Sequence, residues 1–333
     1  MNKLAFFLQL QWGTLYPLRY KLHQIALEKK VFSVGRGTDN DHVIGSDQAP
    51  KSLVDVISKS QFILEVQQCG SVLLTDKSSN GTKINNKKVG KNKQRALVHN
   101  DEIKMADQPC YLFMTSDRSK GNDIPDALAS KYVISKELGR GACGVVNLAF
   151  KNGTRCAVKS IDKNKIRNIG STASIMNEAK LQEKIDDHPC IIKLYEIIET
   201  ENFLYLVLEF AEGGELFDKI VEEKKFSEEK ARGYFYQMLS AIESIHAKKI
   251  THRDLKPENI LLCPTETDDH LIKISDLGLS KDTSGDTNLR SFVGTPLYLG
   301  KRRIKASHRM LFLTQPILMA IFCFSPRSYC QQS

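Results

Sequence analysis

The stretch His252-Arg253-Asp254-Leu255-Lys256-Pro257-Glu258-Asn259 decides how this 333-residue chain is read. One short loop holds a carboxylate at Asp254, a cation two residues on at Lys256 and a carboxamide at Asn259. Asp254 can accept a hydroxyl proton, Lys256 can balance charge on a phosphoryl group, and Asn259 can offer an oxygen to Mg2+. Phosphoryl transfer asks little more of a protein, because its catalysis is mainly positioning and charge neutralisation.

Further features fall in a fixed order on either side. Gly139, Gly141, Gly144 and Val146 form GxGxxGxV after a strand-like run, where glycines let backbone amides approach phosphates. Ala157-Val158-Lys159 follows, with a strand-borne Lys that can reach the α/β-phosphates. Glu178 lies on a predicted helix and can pair with Lys159. Downstream, Asp276-Leu277-Gly278 supplies a second metal carboxylate, and Gly294-Thr295-Pro296 stands where an activation segment would end. Singly these are weak signals. The glycines also suit a hairpin turn, AVK occurs in many strands, and a lone Glu on a helix is usually solvated. The order supplies the specificity.

Together the motifs resemble the eukaryotic Ser/Thr protein kinase domain over residues 132–300. The resemblance implies ATP and Mg2+ as cofactors. It implies nucleotide contacts at Leu138, Gly139, Gly141, Gly144, Val146, Ala157, Lys159, Glu209, Ala211 and Leu261, with Leu208 as gatekeeper and Glu209 to Ala211 as hinge. Asp254, Lys159, Glu178 and Lys256 become the catalytic set, and Asn259 and Asp276 the metal ligands. Glu215, in EGGELF, and Glu258 resemble the acidic pair that reads an Arg upstream of the target. Protein substrates of Arg-x-x-Ser/Thr type are therefore expected, and Ser291 and Thr295 are the candidate phosphoacceptors of the activation segment.

The first half reads differently. From Phe6 to about Thr115, short β-rich runs (31–35, 61–66, 71–76, 82–85) alternate with Gly/Asn/Asp turns, as in an all-β sandwich. The apolar N-terminus, MNKLAFFLQLQW, is expected to be a first strand, not a signal peptide. Gly35-Arg36, Ser58-Lys59, Ser79-Asn80-Gly81-Thr82 and Asn85 are turn residues when taken singly. In this order they resemble a forkhead-associated (FHA) domain over residues 12–115. That implies phosphothreonine binding by Arg36, Ser58, Lys59, Asn80 and Asn85, the cations on the phosphate and the asparagines fixing loops and peptide backbone. The family's Ser-x-x-His reads Ser-x-x-Gln here. Gln61 takes the place of the bracing His, so weaker but retained binding is expected.

Residues 116–131 are polar and Gly/Pro-bearing, a linker. An FHA domain followed by a basophilic kinase resembles the DNA-damage checkpoint kinase two family. That resemblance implies phosphothreonine-containing partners, a homodimer through the FHA domain and a nuclear location, with cytoplasm as the alternative. The expected fold is thus an all-β sandwich followed by an α+β kinase-like domain with a complete N-lobe and an incomplete helical C-lobe. Ser-Gln and Thr-Gln pairs are few (Ser60-Gln61, Thr314-Gln315). Leu277 replaces the Phe of DFG, and Gln182 stands where an apolar spine residue belongs, a polar group that should loosen packing if buried unpaired. After GTPLYL (294–299) the pattern gives way to a basic and apolar tail, 301–333, read as a splice or frame change in place of the C-terminal lobe. A second reading follows from it: a phosphothreonine-binding protein with a catalytically impaired kinase fragment.

Composition agrees with globular domains: 41% hydrophobic, 26% charged. The formal charge of +9 suits phosphate-bearing ligands, and without an aromatic-interleaved basic stripe no direct nucleic-acid binding is expected. The eight cysteines are scattered, which reads as reduced thiols. The apolar run 310–324 is broken by Gln315 and Pro316, so no membrane span is expected.

Overall fold

The computed structural model describes residues 11–19, 21–116, 124–141, 144–164, 182–185, 188–252, 254–265, 270–276 and 281–282. Glu178, Arg253, Leu277, Gly278, Ser291, Thr295 and the tail 301–333 lie outside the described residues. The chain divides into two compact units, residues 1–136 with 149–155 and residues 137–148 with 156–333.

Among the described residues the N-terminal sandwich has eleven strands: β1 (Gly13–Pro17), β2 (Ile25–Leu27), β3 (Val31–Gly35), β4 (His42–Val43), β5 (Phe62–Val66), β6 (Val72–Asp76), β7 (Thr82–Ile84), β8 (Lys87–Lys88), β9 (Gln94–Leu97), β10 (Asp101–Met105) and β11 (Gln108–Thr115). A short helix, α1 (Lys51–Val54), sits between β4 and β5. One sheet runs β2-β1-β11-β10-β7-β8 and the other β4-β3-β5-β6-β9. Strict alternation drives the packing. In β6 and β10 every second residue is buried, so each strand turns one face to a shared core of Leu15, Val34, Phe62, Leu64, Leu74, Ile103 and Phe113. The internal strands fall where the sequence puts them. The first described strand starts at Gly13, and residues 1–10 of the apolar run expected to form a first strand lie outside the described residues. The linker holds a helical turn, α2 (Asp126–Ala129), which buries Leu128.

The kinase-like part opens with a five-stranded sheet, order β12-β13-β14-β16-β15, from β12 (Val133–Gly141), β13 (Gly144–Lys151), β14 (Thr154–Asp162), β15 (Leu194–Glu199) and β16 (Phe203–Glu209). Below it come α3 (Leu216–Glu223), α4 (Glu228–Ala247), the short strands β17 (Ile250–Thr251), β18 (Ile260–Pro264), β19 (His270–Ile274) and β20 (Lys281–Asp282). Helix α4 buries Ala231, Tyr234, Met238, Ala241, Ile242 and Ile245, a three-and-four spacing that turns one stripe to a core shared with Leu216, Ile220, Ile260, Leu262 and Ile272. Ser227 caps it, its hydroxyl accepting the Lys230 N–H. Hairpin β18–β19 pairs Leu261 with Lys273 and Ile260 with Ile274, so the loop carrying Asp254 and the segment ending at Asp276 leave the same end of one ribbon.

Candidate functional site

In the second unit the functional side chains form a connected network. Strand β14 delivers Lys159, whose Nζ lies 2.7 Å from Asp276 Oδ1. Ser275, next to Asp276, donates its backbone N–H (2.8 Å) and its hydroxyl (3.1 Å) to the Asn259 carbonyl. Asn259 Nδ2 in turn donates to the Asp254 carbonyl (2.8 Å) and to Asp254 Oδ2 (3.2 Å), and Lys256 Nζ stands 3.0 Å from the same Oδ2. His252 closes the ring from beneath. Its Nε2 donates to the Ser275 carbonyl (3.0 Å) and its Nδ1 accepts the Asp254 N–H (3.3 Å), which fixes the neutral Nε2–H tautomer. Burial lowers its pKa below the ordinary histidine value, in agreement with that tautomer. Asp276 holds a left-handed backbone conformation, φ 57°, a strained setting for a residue without glycine's freedom.

The nucleotide end is equally local. Gly144 leaves no room for a side chain, since a Cβ there would lie 2.0 Å from the Ser160 carbonyl oxygen, whereas Gly139 and Gly141 face open space. Ala157 pairs across the ladder with Leu208, which brings the expected adenine wall and gatekeeper side by side. Glu209, at the end of β16, is fixed by a residue the sequence did not flag: Lys273 of β19 places Nζ 2.8 Å from Glu209 Oε2. Its only sequence signal is a Lys in an apolar strand (LIKI), which asks for a buried partner. Glu215 forms an isolated β-bridge with Leu261, and its carboxyl is pushed above the usual range by burial, then by neighbouring Asp218 and Glu258, with Lys256 opposing. Gln182 is buried, yet its Nε2 donates to the Ile192 carbonyl at 3.3 Å, so the expected penalty of an unpaired amide does not arise.

In the first unit, three loops converge. Arg36 is exposed and donates its backbone N–H to the Ser58 carbonyl (3.0 Å), while Gly37 donates to the Lys59 carbonyl (2.9 Å). A Cβ on Gly35 would lie 2.2 Å from that Lys59 oxygen, so only glycine lets the two loops approach. Ser58 Oγ accepts the Ser79 N–H at 2.8 Å and keeps its own proton to donate. Asn80 Nδ2 donates to the Val56 carbonyl at 2.8 Å. Asn85, at φ 48°, faces inward chemically: its amide donates to Asp101 (2.5 Å) and accepts the Glu102 N–H (2.9 Å), a loop-fixing role. Gln61 is fully buried. Its Oε1 accepts the Ser58 N–H at 2.9 Å and its Nε2 donates to the Gly81 carbonyl (3.2 Å) and Thr82 Oγ1 (3.1 Å), which ties the Ser58 loop to the Asn80 loop. Two further braces went unread in the sequence: buried Asp76, which accepts from Ser78 and Thr82, and Asn40, which donates to the Lys59 carbonyl at 2.6 Å.

Oxygen donors at Asn259 and Asp276 suit a hard cation. Both hydrogen bonds of the Asn259 amide to Asp254 use Nδ2, which leaves Oδ1 as its acceptor. Among the described residues no three His, Cys, Asp or Glu side chains gather as a metal cage.

Fold and site together define a phosphotransferase scaffold preceded in the chain by a β-sandwich. The protein kinase domain family matches residues 132–311 and the FHA domain family residues 32–106. The ovarian-specific serine/threonine-protein kinase Lok of Drosophila melanogaster is 34% identical over 318 residues, covering 86% of this chain and 66% of that protein. The serine/threonine-protein kinase chk-2 of Caenorhabditis elegans is 31% identical over 302 residues, covering 86% and 62%. A crystal structure of Rad53 1-466 in complex with AMP-PNP aligns at a TM-score of 0.43 and 28% identity, over 80% of this chain and 73% of that one. The chain belongs to the protein kinase family and carries an FHA domain ahead of the catalytic domain, the arrangement of a checkpoint-kinase-like FHA kinase. It spans about two thirds of the length of these two curated relatives.

Proposed function

We propose that the protein transfers the γ-phosphate of ATP to Ser or Thr in Arg-x-x-Ser/Thr sequences, and that its FHA unit captures phosphothreonine on partner proteins, a second copy of the chain among them. The observation that carries the first part is the continuous network from Lys159 through Asp276, Ser275 and Asn259 to Asp254 and Lys256. Asp254 is the base for the acceptor hydroxyl, its carboxylate oriented by Asn259 and Lys256. Lys159 is placed for the nucleotide phosphates, and the hinge at Glu209 is steadied by Lys273. Asn259 and Asp276 would hold Mg2+, which supplies neutralisation of phosphate charge. Glu215 and Glu258 supply the negative site for the substrate arginine. The second part rests on Arg36, Lys59 and the Ser58 hydroxyl, carried by loops that Gln61 joins. A nuclear location accords with a checkpoint role.

The test is turnover of an Arg-x-x-Ser peptide by purified protein with ATP and Mg2+, against Asp254→Ala. Turnover lost in the variant supports the reading. No turnover in the wild type, with phosphothreonine binding intact, would leave the chain a phosphopeptide-binding protein.

A further inference from the structure

Residues 77–95 hold six lysines and Arg95, and no Asp or Glu. The phosphate-facing loop at Asn80 lies in this same stretch. Strand β8, at the end of its sheet, exposes both Lys87 and Lys88. Lys88 runs beside the Asn80 loop, its Cε 3.7 Å from where a Cβ on Gly81 would stand. Across the ladder Lys88 faces Lys83, and like charges in that register cost stability.

Asp107 partly relieves the cost. It pairs with Lys83, and that bond first, with Lys104 and Lys88 adding, holds its carboxyl below the usual range. Among the described residues Lys87, Lys88, Lys91 and Lys93 make no ion pair. Lysines on an edge strand also deter edge-to-edge association. That accounts for β8, but not for Lys91 and Lys93, which lie beyond it in the turn before β9.

We propose that this strip extends the phosphothreonine site and selects phosphopeptides whose flanking residues are acidic or themselves phosphorylated. It rests on the reading of the first unit as a phosphothreonine module. Each flanking carboxylate, or a second phosphate carrying nearly two charges, finds a lysine that makes no ion pair among the described residues, next to the loop assigned to the phosphothreonine. The strip supplies charge and no base-edge donors or stacking aromatics, so a peptide fits it better than a nucleic acid.

The experiment uses the full chain and two fluorescent peptides with one phosphothreonine core, flanked by Glu/Asp or by Gln/Asn, at about 50 and about 300 mM salt. The wild type should prefer the acidic-flanked peptide by about tenfold at low salt, the sum of a few exposed charge pairs, and much less at high salt. With Lys87, Lys88, Lys91 and Lys93 all changed to Gln, the neutral-flanked peptide should bind as before and the preference should vanish. Arg36→Ala should lose both peptides. Equal wild-type affinities, or a preference that survives the four substitutions, would overturn the proposal. So would competition by duplex DNA as effective as that by the acidic peptide, which would mark the strip as a nucleic-acid surface. If neither peptide binds the wild type, the phosphothreonine reading itself fails and the strip proposal with it.

Discussion

Lys159 and Asp276 hold each other at 2.7 Å, so the cation assigned to the nucleotide and the carboxylate assigned to the metal meet in one ion pair. The Lys159 side chain is 14% exposed and Asp276 43%, a pair half open to solvent. Such a pair adds little to stability. Its value is positional, because it joins the sheet that carries the glycine-rich turn to the ribbon that carries Asp254.

Lys159→Met should therefore leave the fold intact and remove transfer. The loss of one preorganised charge at the phosphates lowers turnover by about a hundred- to a thousandfold. Steady-state phosphorylation of an Arg-x-x-Ser peptide measures it, with phosphothreonine-peptide binding as the control for folding of the first unit. Turnover within a few-fold of wild type would show that Lys159 is not the nucleotide cation.

Gln61 invites a different substitution. Gln61→Leu keeps the bulk but strands the Ser58 N–H, at a cost of about 1–3 kcal/mol, while the Gly81 carbonyl keeps the Ala106 N–H. Urea unfolding of the sandwich should shift accordingly, and phosphothreonine affinity should fall because the Ser58 and Asn80 loops lose their tie. Gln61→His should retain most of both. An unchanged midpoint in Gln61→Leu would mean the brace is dispensable.

Much of this was readable before any coordinates. The order of glycines, Lys159, Asp254 and Asp276 fixed the second unit because phosphoryl transfer restricts residue types at each place. The sandwich was legible from short β-rich runs such as 61–66 and 71–76 set between Gly/Asn/Asp turns. What stayed hidden depends on distance in space. Lys273 reaches Glu209 from a strand sixty-odd residues on, and Asp76 braces a loop whose partners look like ordinary turn residues. Gln182 was read as a defect, since no sequence pattern reveals that a backbone carbonyl at Ile192 awaits its amide.

Burial of neutral His252 makes stability depend on pH. Its folded pKa lies below the ordinary value of about 6.5, so the unfolded chain binds the proton more readily. The contribution is fully present above about pH 6.5 and is lost as pH falls below it, at up to about 1.4 kcal/mol per pH unit. Chemical denaturation of the second unit between pH 7.5 and 5.5 should show that slope, reduced in His252→Phe. Identical slopes in both proteins would assign the effect to other groups.

On the proposed reading, Glu215 should make the preference for an upstream arginine sensitive to pH. Its carboxyl is raised above the usual glutamate value, chiefly by burial and then by Asp218 and Glu258, with Lys256 opposing. As pH falls from 7.5 toward 5, Glu215 takes a proton before an exposed glutamate would, and the substrate arginine loses a charged partner. The KM for an Arg-x-x-Ser peptide should then rise toward that of an Ala-x-x-Ser peptide, while the Ala peptide's KM stays level. Glu215→Gln should show the low-pH behaviour at every pH, with KM for the Arg peptide raised about tenfold and kcat little changed, as expected for a lost charge-assisted bond. A KM ratio that stays constant with pH in the wild type, and unchanged in Glu215→Gln, would place arginine recognition elsewhere in the cleft.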